Sequence, residues 1–365
     1  MYDFLVVGAG LFGSVFSREV ADAGKTVLLI DKRSHIGGMC YSEKIEGIDV
    51  HKYGPHTFHT ENENIWKHVN RFAKFNSFQQ RTKVLFNGTM YSFPINMMTL
   101  HQLWGVITPE QAIKKLEEVR HNIKNPSNLE DWMLSQVGSE IYETFIKGYT
   151  EKQWGRSAKE LPSFIIKRLP IRLNYDDRYF SDDYQGVPIA GYTNMFENML
   201  DHKNIKVLLN IDFFDNKKEL QESAKCTVYT GKIDEFFGYK YGELQYRSLK
   251  FETEVMDGNF QGTSIVNYAD KNVSYTRIIE HKHFVFMNCP KTVITREYPD
   301  AYDHGKIPFY PIVDDLNKEV YMKYSTESPP GKVIFGGRLG TYKYYDMHQI
   351  VGQALTKARV ALTIT

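Results

Sequence analysis

Near the start of the chain, Gly8-Ala9-Gly10-Leu11-Phe12-Gly13 has the spacing G-x-G-x-x-G. A loop of this kind offers backbone and not a nucleophile. Gly8 permits a tight turn, Gly10 lets a pyrophosphate approach the main chain, and Gly13 allows a helix to pack closely on a sheet. The N–H groups and positive dipole end of the following helix then face the phosphates. Asp31 is placed to accept from a ribose hydroxyl. The glycine pattern alone is a weak signal. Its context strengthens it: the apolar run Phe4-Leu5-Val6-Val7 precedes it, a helix opens inside it, and an acidic residue closes a βαβ unit of about 30 residues.

Protein groups able to carry out bond chemistry are hard to find. There is no G-x-S-x-G elbow, no Walker loop and no H-E-x-x-H. His51, His56 and His59 lie close together, but their spacing matches no metal-ligand pattern, and no metal site is expected. Cys40, Cys226 and Cys289 form no C-x-x-C pair and no disulfide framework. The hard chemistry should therefore belong to a bound cofactor. What the chain offers instead is a set of Arg, Tyr and Trp side chains, of which Tyr, at 24, is abundant. Arg presents a planar fork to phosphate oxygens and Tyr hydroxyls donate to the same group. Phe145, Tyr149 and Trp154 could flank a base and ribose. Together these suit a diphosphate-linked nucleoside substrate.

The elements that must position these residues can be read from periodicity. Residues 2–7 form a strand buried on both faces, 11–23 a helix stopped by Gly24, and 26–30 a second strand. From Thr99 the texture is helical. Thr108-Pro109-Glu110-Gln111 and Ser127-Asn128-Leu129-Glu130 read as capping boxes, and Tyr142, Phe145 and Tyr149 share a helix face. Residues 160–192 have no clean period and three prolines, as linkers and lids do. From Ile205 onward the pattern is strand-like. Leu249, Phe251, Thr253 and Val255 alternate with charged residues, as in a half-exposed antiparallel strand. Tyr275, Arg277 and Ile279 share a face by parity. Residues 332–335 form a strand before Gly336-Gly337-Arg338, and a helix closes the chain from about Met347.

Composition bounds the alternatives. At 365 residues, two or three domains are expected. A net charge of +1 provides no long-range field for a nucleic acid or an acidic membrane. No apolar run approaches the ~20 residues of a membrane span. The chain opens on a strand with no basic and apolar leader before it, so a cytoplasmic location is expected.

Ile36-Gly37-Gly38 and Gly336-Gly337-Arg338 resemble the glycine pairs of FAD enzymes of the glutathione-reductase and amine-oxidase type. A second G-x-G-x-x-G, as a two-module reductase would carry, is absent. Four longer segments are more specific: Tyr53-Gly54-Pro55-His56-Thr57-Phe58-His59-Thr60; Gly148-Tyr149-Thr150-Glu151-Lys152-Gln153-Trp154-Gly155; Asn174-Tyr175-Asp176-Asp177-Arg178-Tyr179-Phe180; and Gly337-Arg338-Leu339-Gly340 through Tyr344-Tyr345-Asp346-Met347. Through them the chain resembles the UDP-galactopyranose mutases over essentially its whole length.

The resemblance implies an α/β fold: an FAD-binding Rossmann-like domain (1–75, 186–235 and 331–365), a helical insertion (97–160) with a mobile loop (161–185), and an antiparallel sheet domain (76–96 and 236–330). It implies an isomerase that interconverts UDP-galactopyranose and UDP-galactofuranose, supplying galactofuranose for cell-surface polysaccharide. N5 of reduced FAD attacks the anomeric carbon, and there is no net redox change. Residue by residue, it places Phe145, Tyr149, Thr150 and Trp154 around the uridine. Arg168, on the mobile loop, and Arg277 reach the diphosphate, and Tyr179, Tyr310 and Tyr344 donate to its oxygens. Arg247 and Asn267 line the cleft, and His56 and His59 fall beside flavin and sugar. Gly8, Gly10, Gly13, Asp31, Gly38, Arg338, Asp346 and Met347 hold FAD. A homodimer is the family expectation. The competing readings are a redox flavoenzyme of the amine-oxidase type, which would not need the Arg and Tyr set, and a non-enzymatic nucleotide-binding module.

Overall fold

A computed structural model describes residues 1–167, 169–327 and 332–364, with the side chain of residue 364 left aside. Arg168 lies outside the described residues. The chain divides into two compact units: Met1–Phe78 with Asp182–Tyr246 and Pro308–Thr365, and Gln79–Ser181 with Arg247–Ile307.

The first unit is built on a parallel sheet in the order Val333–Phe335, Ala224–Tyr229, Tyr2–Val7, Val27–Asp31, Ile205–Leu209. Phe4, Leu5 and Val6 are fully buried, as are Val27, Leu29 and Ile30, which is why these strands read as unbroken apolar runs. The helices Leu11–Asp22 and Met347–Ile364 pack together, with Phe16 edge-on to Phe4 at 5.3 Å. Both helices begin at the end of the sheet where the parallel strands terminate, the end at which open α/β sheets bind ligands.

The second unit carries a sheet in the order Tyr246–Asp257, Lys291–Ala301, Arg277–Glu280, Ile265–Tyr268, Lys83–Phe86, Thr89–Ser92. Its pairings are antiparallel except that between Ile265–Tyr268 and Lys83–Phe86. The helices Met97–Trp104, Pro109–Val119 and Leu129–Ile141 follow. Buried side chains from these helices share one core with Val84 and Ala269 from the sheet region. The helical segment and the sheet thus form one unit in this structure, where the sequence suggested two.

Local signals were read with mixed accuracy. Thr108 and Gln111 form the expected capping box with Pro109 in the first turn. The next helix is capped one residue later than predicted. The Asn128 side chain accepts from Asp131 N–H, while Ser127 donates to the Asp131 carboxylate, so Ser127 and Glu130 form no box. Tyr142–Lys147 is a wider π-type turn that leads into the helix Gly148–Trp154. The alternation at Leu249 and Phe251 fades beyond Glu252. There the strand Tyr246–Asp257 exposes both faces, Val255 included at 41%. The helix Asp315–Thr326, which the strand-like reading of that region missed, is capped by Asp314.

Candidate functional site

In the first unit, Gly8, Gly10, Gly13, Asp31, Gly38, Arg338 and Met347 line one pocket of about 830 Å³, part of it open to solvent. The glycine loop is closed from above by the second glycine pair. Gly37 N–H donates to the Ala9 carbonyl at 2.8 Å. Gly38 has φ +55, and a Cβ on it would lie 2.8 Å from Gly10 Cα. Only glycine fits there. Asp31 organises the floor, accepting from Ala9 N–H at 2.8 Å and from Arg33 N–H at 2.9 Å. A carboxylate has about four lone-pair sites, so these two bonds leave acceptor capacity for a ribose hydroxyl.

The same pocket is lined by His56, whose Nδ1 pairs with the Gly54 carbonyl at 2.8 Å. His59 lies elsewhere. It sits on the strand Phe58–Thr60, 6% exposed, with Nδ1 2.9 Å from Asp182 and its ring 4.9 Å from that of His348. Arg338 donates through Nε to the Tyr345 carbonyl at 2.7 Å and lies 4.9 Å over the Tyr344 ring. Tyr344 in turn stacks on Tyr310 at 5.6 Å. Asp346 immediately precedes the helix Met347–Ile364 and is not among the pocket-lining residues. Arg33, Thr230 and Phe309 also line the pocket and were not anticipated. Arg33 could have been found from its place two residues after Asp31. Thr230 and Phe309 come from distant segments and carry no local signal.

In the second unit, the helix Gly148–Trp154 carries Tyr149, Thr150 and Trp154. Phe145, on the preceding turn, is 2% exposed and packs edge-on to Tyr91 at 5.2 Å, so its ring belongs to the core here. Arg247 donates through Nε to the Gln153 carbonyl at 3.2 Å, and its guanidinium lies against Gly155, the left-handed cap of that helix. Asn267 and Arg277 are directly opposite across an antiparallel pair. Glu297, fully buried, accepts from Arg277 Nε at 2.9 Å and Nη2 at 2.7 Å, which fixes the plane of the guanidinium. Tyr179 is anchored by its N–H to the Gln80 carbonyl at 2.7 Å, with its ring beside Phe180. Among the described residues, no cluster of His, Cys, Asp and Glu has the arrangement to hold a metal ion.

The model of the family described as UDP-galactopyranose mutase matches residues 144–344, and a model for an NAD(P)-binding Rossmann-like domain matches residues 6–72. A Klebsiella pneumoniae protein described as a probable UDP-galactopyranose mutase is 41% identical over 98% of this chain and 94% of its own length. The chain belongs to the UDP-galactopyranose mutase family. Another relative, an Escherichia coli dTDP-fucopyranose mutase, is 38% identical over 99% of this chain and 98% of its own. The crystal structure of a reduced UDP-galactopyranose mutase has the same fold, with a TM-score of 0.77 at 13% identity, covering 100% of this chain and 96% of that one. The enzyme is thus a flavin-dependent isomerase, and its cofactor is FAD.

The pocket fits that cofactor. Gly10 has φ −79 and ψ −173, which any residue can adopt, and a Cβ on it would meet nothing of the protein closer than Gly38 Cα at 3.7 Å. The protein itself therefore does not require glycine there, whereas a pyrophosphate lying on the loop does. Gly10→Ala is accordingly expected to fold with near wild-type melting, and Gly10→Val to lose FAD on purification. Full flavin occupancy in that variant, measured by absorbance, would contradict the site.

Proposed function

We propose that this enzyme interconverts UDP-galactopyranose and UDP-galactofuranose. What carries the reading is the whole-length match at 41% identity to a relative described by that activity. The second unit supports it with a set of aromatic and hydroxyl groups on the helix Gly148–Trp154 and an Arg277 held by Glu297. FAD, bound and reduced, supplies the nucleophile for the anomeric carbon.

The chain's own residues bind and orient. Tyr149, Thr150 and Trp154 flank base and ribose. Arg277, oriented by Glu297, holds the diphosphate as it leaves and returns, with Tyr179, Tyr310 and Tyr344 donating to its oxygens. Arg247 and Asn267 border the sugar, and His56 belongs to the flavin pocket. Holding UDP in place through the reaction keeps recombination effectively intramolecular. Among the described residues no helix is long and apolar enough to cross a membrane. We place the enzyme in the cytoplasm, as a homodimer.

The E. coli relative shows that the family also contains a dTDP-fucopyranose mutase; a dTDP-fucose differs from UDP-galactose in lacking the sugar's 6-hydroxyl and in carrying a thymine methyl. Chromatographic assay of UDP-galactofuranose and dTDP-fucofuranose with reduced enzyme tests the choice. Preference for the dTDP sugar would overturn the proposed substrate and leave the reaction class intact.

Arg168 is proposed as a partner of Arg277 at the diphosphate, on the segment around it; residues 172–185 are held in place, Arg172 N–H donating to the Ile95 carbonyl, Tyr179 N–H to that of Gln80, and Tyr184–Gly186 pairing with Phe58–Thr60. Arg168→Ala should cost roughly 2–4 kcal/mol of transition-state stabilisation with little change in melting temperature. UDP should slow proteolytic cleavage within the segment. Cleavage at the same rate with and without UDP would count against a lid.

A further inference from the structure

We propose that Lys152 is a positioning residue for the nucleotide, its ammonium clamping the helix Gly148–Trp154 to residues 268–276 so that this helix and Arg277 engage one ligand as a unit. The inference rests on the reading above, in which that helix and Arg277 bind UDP.

Lys152 Nζ lies 2.8 Å from the Tyr268 carbonyl, 2.9 Å from that of Asp270, and 3.0 Å from those of Val273 and Tyr275. An ammonium has three protons, yet four carbonyl oxygens surround it at nearly equal distance. The arrangement is that of a small cation in a ring of carbonyl dipoles, with charge–dipole attraction added to hydrogen bonding. The Tyr268 carbonyl ends the strand Ile265–Tyr268, and the other three belong to the connection from it to the strand Arg277–Glu280. Without the ammonium they would lose their shared donor, the Asp270 carbonyl keeping its bond from Val273 N–H at 3.3 Å. Burial lowers the Lys152 pKa to about 8, with the charge of Asp270 opposing, so the charge is held in place at a cost in hydration.

Two further contacts bring the helix to this connection. A Cβ on Gly148 would lie 2.0 Å from the Ala269 carbonyl oxygen, so only glycine allows the approach. Lys271 pairs with Glu151 at 3.0 Å, an exposed contact that adds little. At the other end of the helix, Arg247 holds the Gln153 carbonyl. Two residues beyond the last caged carbonyl, Tyr275, comes Arg277, opposite Asn267 and locked by Glu297. One lysine thus sets the distance between the residues assigned to the nucleoside and the one assigned to the diphosphate. A ligand that touches both gains from having them pre-positioned.

The test uses the FAD-loaded enzyme with UDP as probe. Lys152→Met keeps the stem and removes the charge. Its Kd for UDP, by calorimetry, should rise at least about tenfold. FAD content and the flavin spectrum should stay unchanged, KM should rise more than kcat falls, and Lys152→Arg should recover part of the affinity. A flavin-loaded Lys152→Met that binds UDP within about twofold of wild type overturns the proposal. Should that variant fail to fold, hydrogen exchange in the wild type decides. UDP must protect residues 268–276 together with the helix, and protection of the helix alone overturns the clamp. A wild-type enzyme that does not bind UDP at all overturns the functional reading first, and the clamp with it.

Discussion

Enzyme carrying reduced flavin is expected to convert UDP-galactofuranose, and the same enzyme with oxidised flavin to do so more slowly by a factor on the order of 10³ or more, as when an enzyme loses its nucleophile. The reason lies in what the chain does and does not offer. It has a dinucleotide cradle at Gly8, Gly10 and Gly38 and an oriented Arg277, but no sequence signature of an activated serine or cysteine. In the proposed reaction, bound and reduced flavin would supply the nucleophile, which oxidised flavin is too electron-poor to do. Because the proposed isomerisation has no net redox change, one reduction should support many turnovers. Chromatography of products against a titration of added dithionite measures both quantities. An oxidised sugar formed in proportion to reductant or oxygen consumed would favour the amine-oxidase type of chemistry.

Arg277→Ala should lower kcat/KM by roughly 10²–10³, the usual scale for removing a donor aimed at developing charge. The structure adds a complication. Glu297 is fully buried, and its Oε2 accepts two hydrogen bonds from Arg277. Removing the arginine leaves a buried carboxylate short of its main donor, at about 3–5 kcal/mol of stability. The single variant therefore confounds catalysis with folding. The double variant Arg277→Ala/Glu297→Gln separates them. The amide stays beside Thr276 Oγ1, which lies 3.4 Å from the glutamate oxygen, and melting should recover towards wild type. Activity should not recover. A double variant with restored turnover would show that Arg277 serves the fold and not the diphosphate.

That Glu297 could not have been assigned in advance illustrates how far each kind of information reaches. It lies 20 residues from Arg277, and only the register of the strands Arg277–Glu280 and Lys291–Ala301 makes them neighbours. The same holds for Asn267 opposite Arg277, and for the four carbonyls around Lys152. Thr230 and Phe309 reach the flavin pocket from segments with no pattern of their own. Histidine spacing misled in a related way. His56 and His59 are three apart, but the strand Phe58–Thr60 carries the second towards Asp182 and His348, away from the pocket lining.

The features legible from the sequence were those with a local cause. A glycine loop between a buried strand and a helix has few uses, so the cradle, Asp31 and the buried parallel strands could be read from about thirty consecutive residues. Capping chemistry marked the helix at Pro109–Val119 for the same reason, since the donor and acceptor lie three residues apart. The longer family segments named the reaction. Tertiary structure alone decided which of the many Arg, Tyr and Lys side chains are fixed in place and by what. Long side chains are positioned by burial and by partners brought in through strand register, and neither leaves a trace in the order of neighbouring residues.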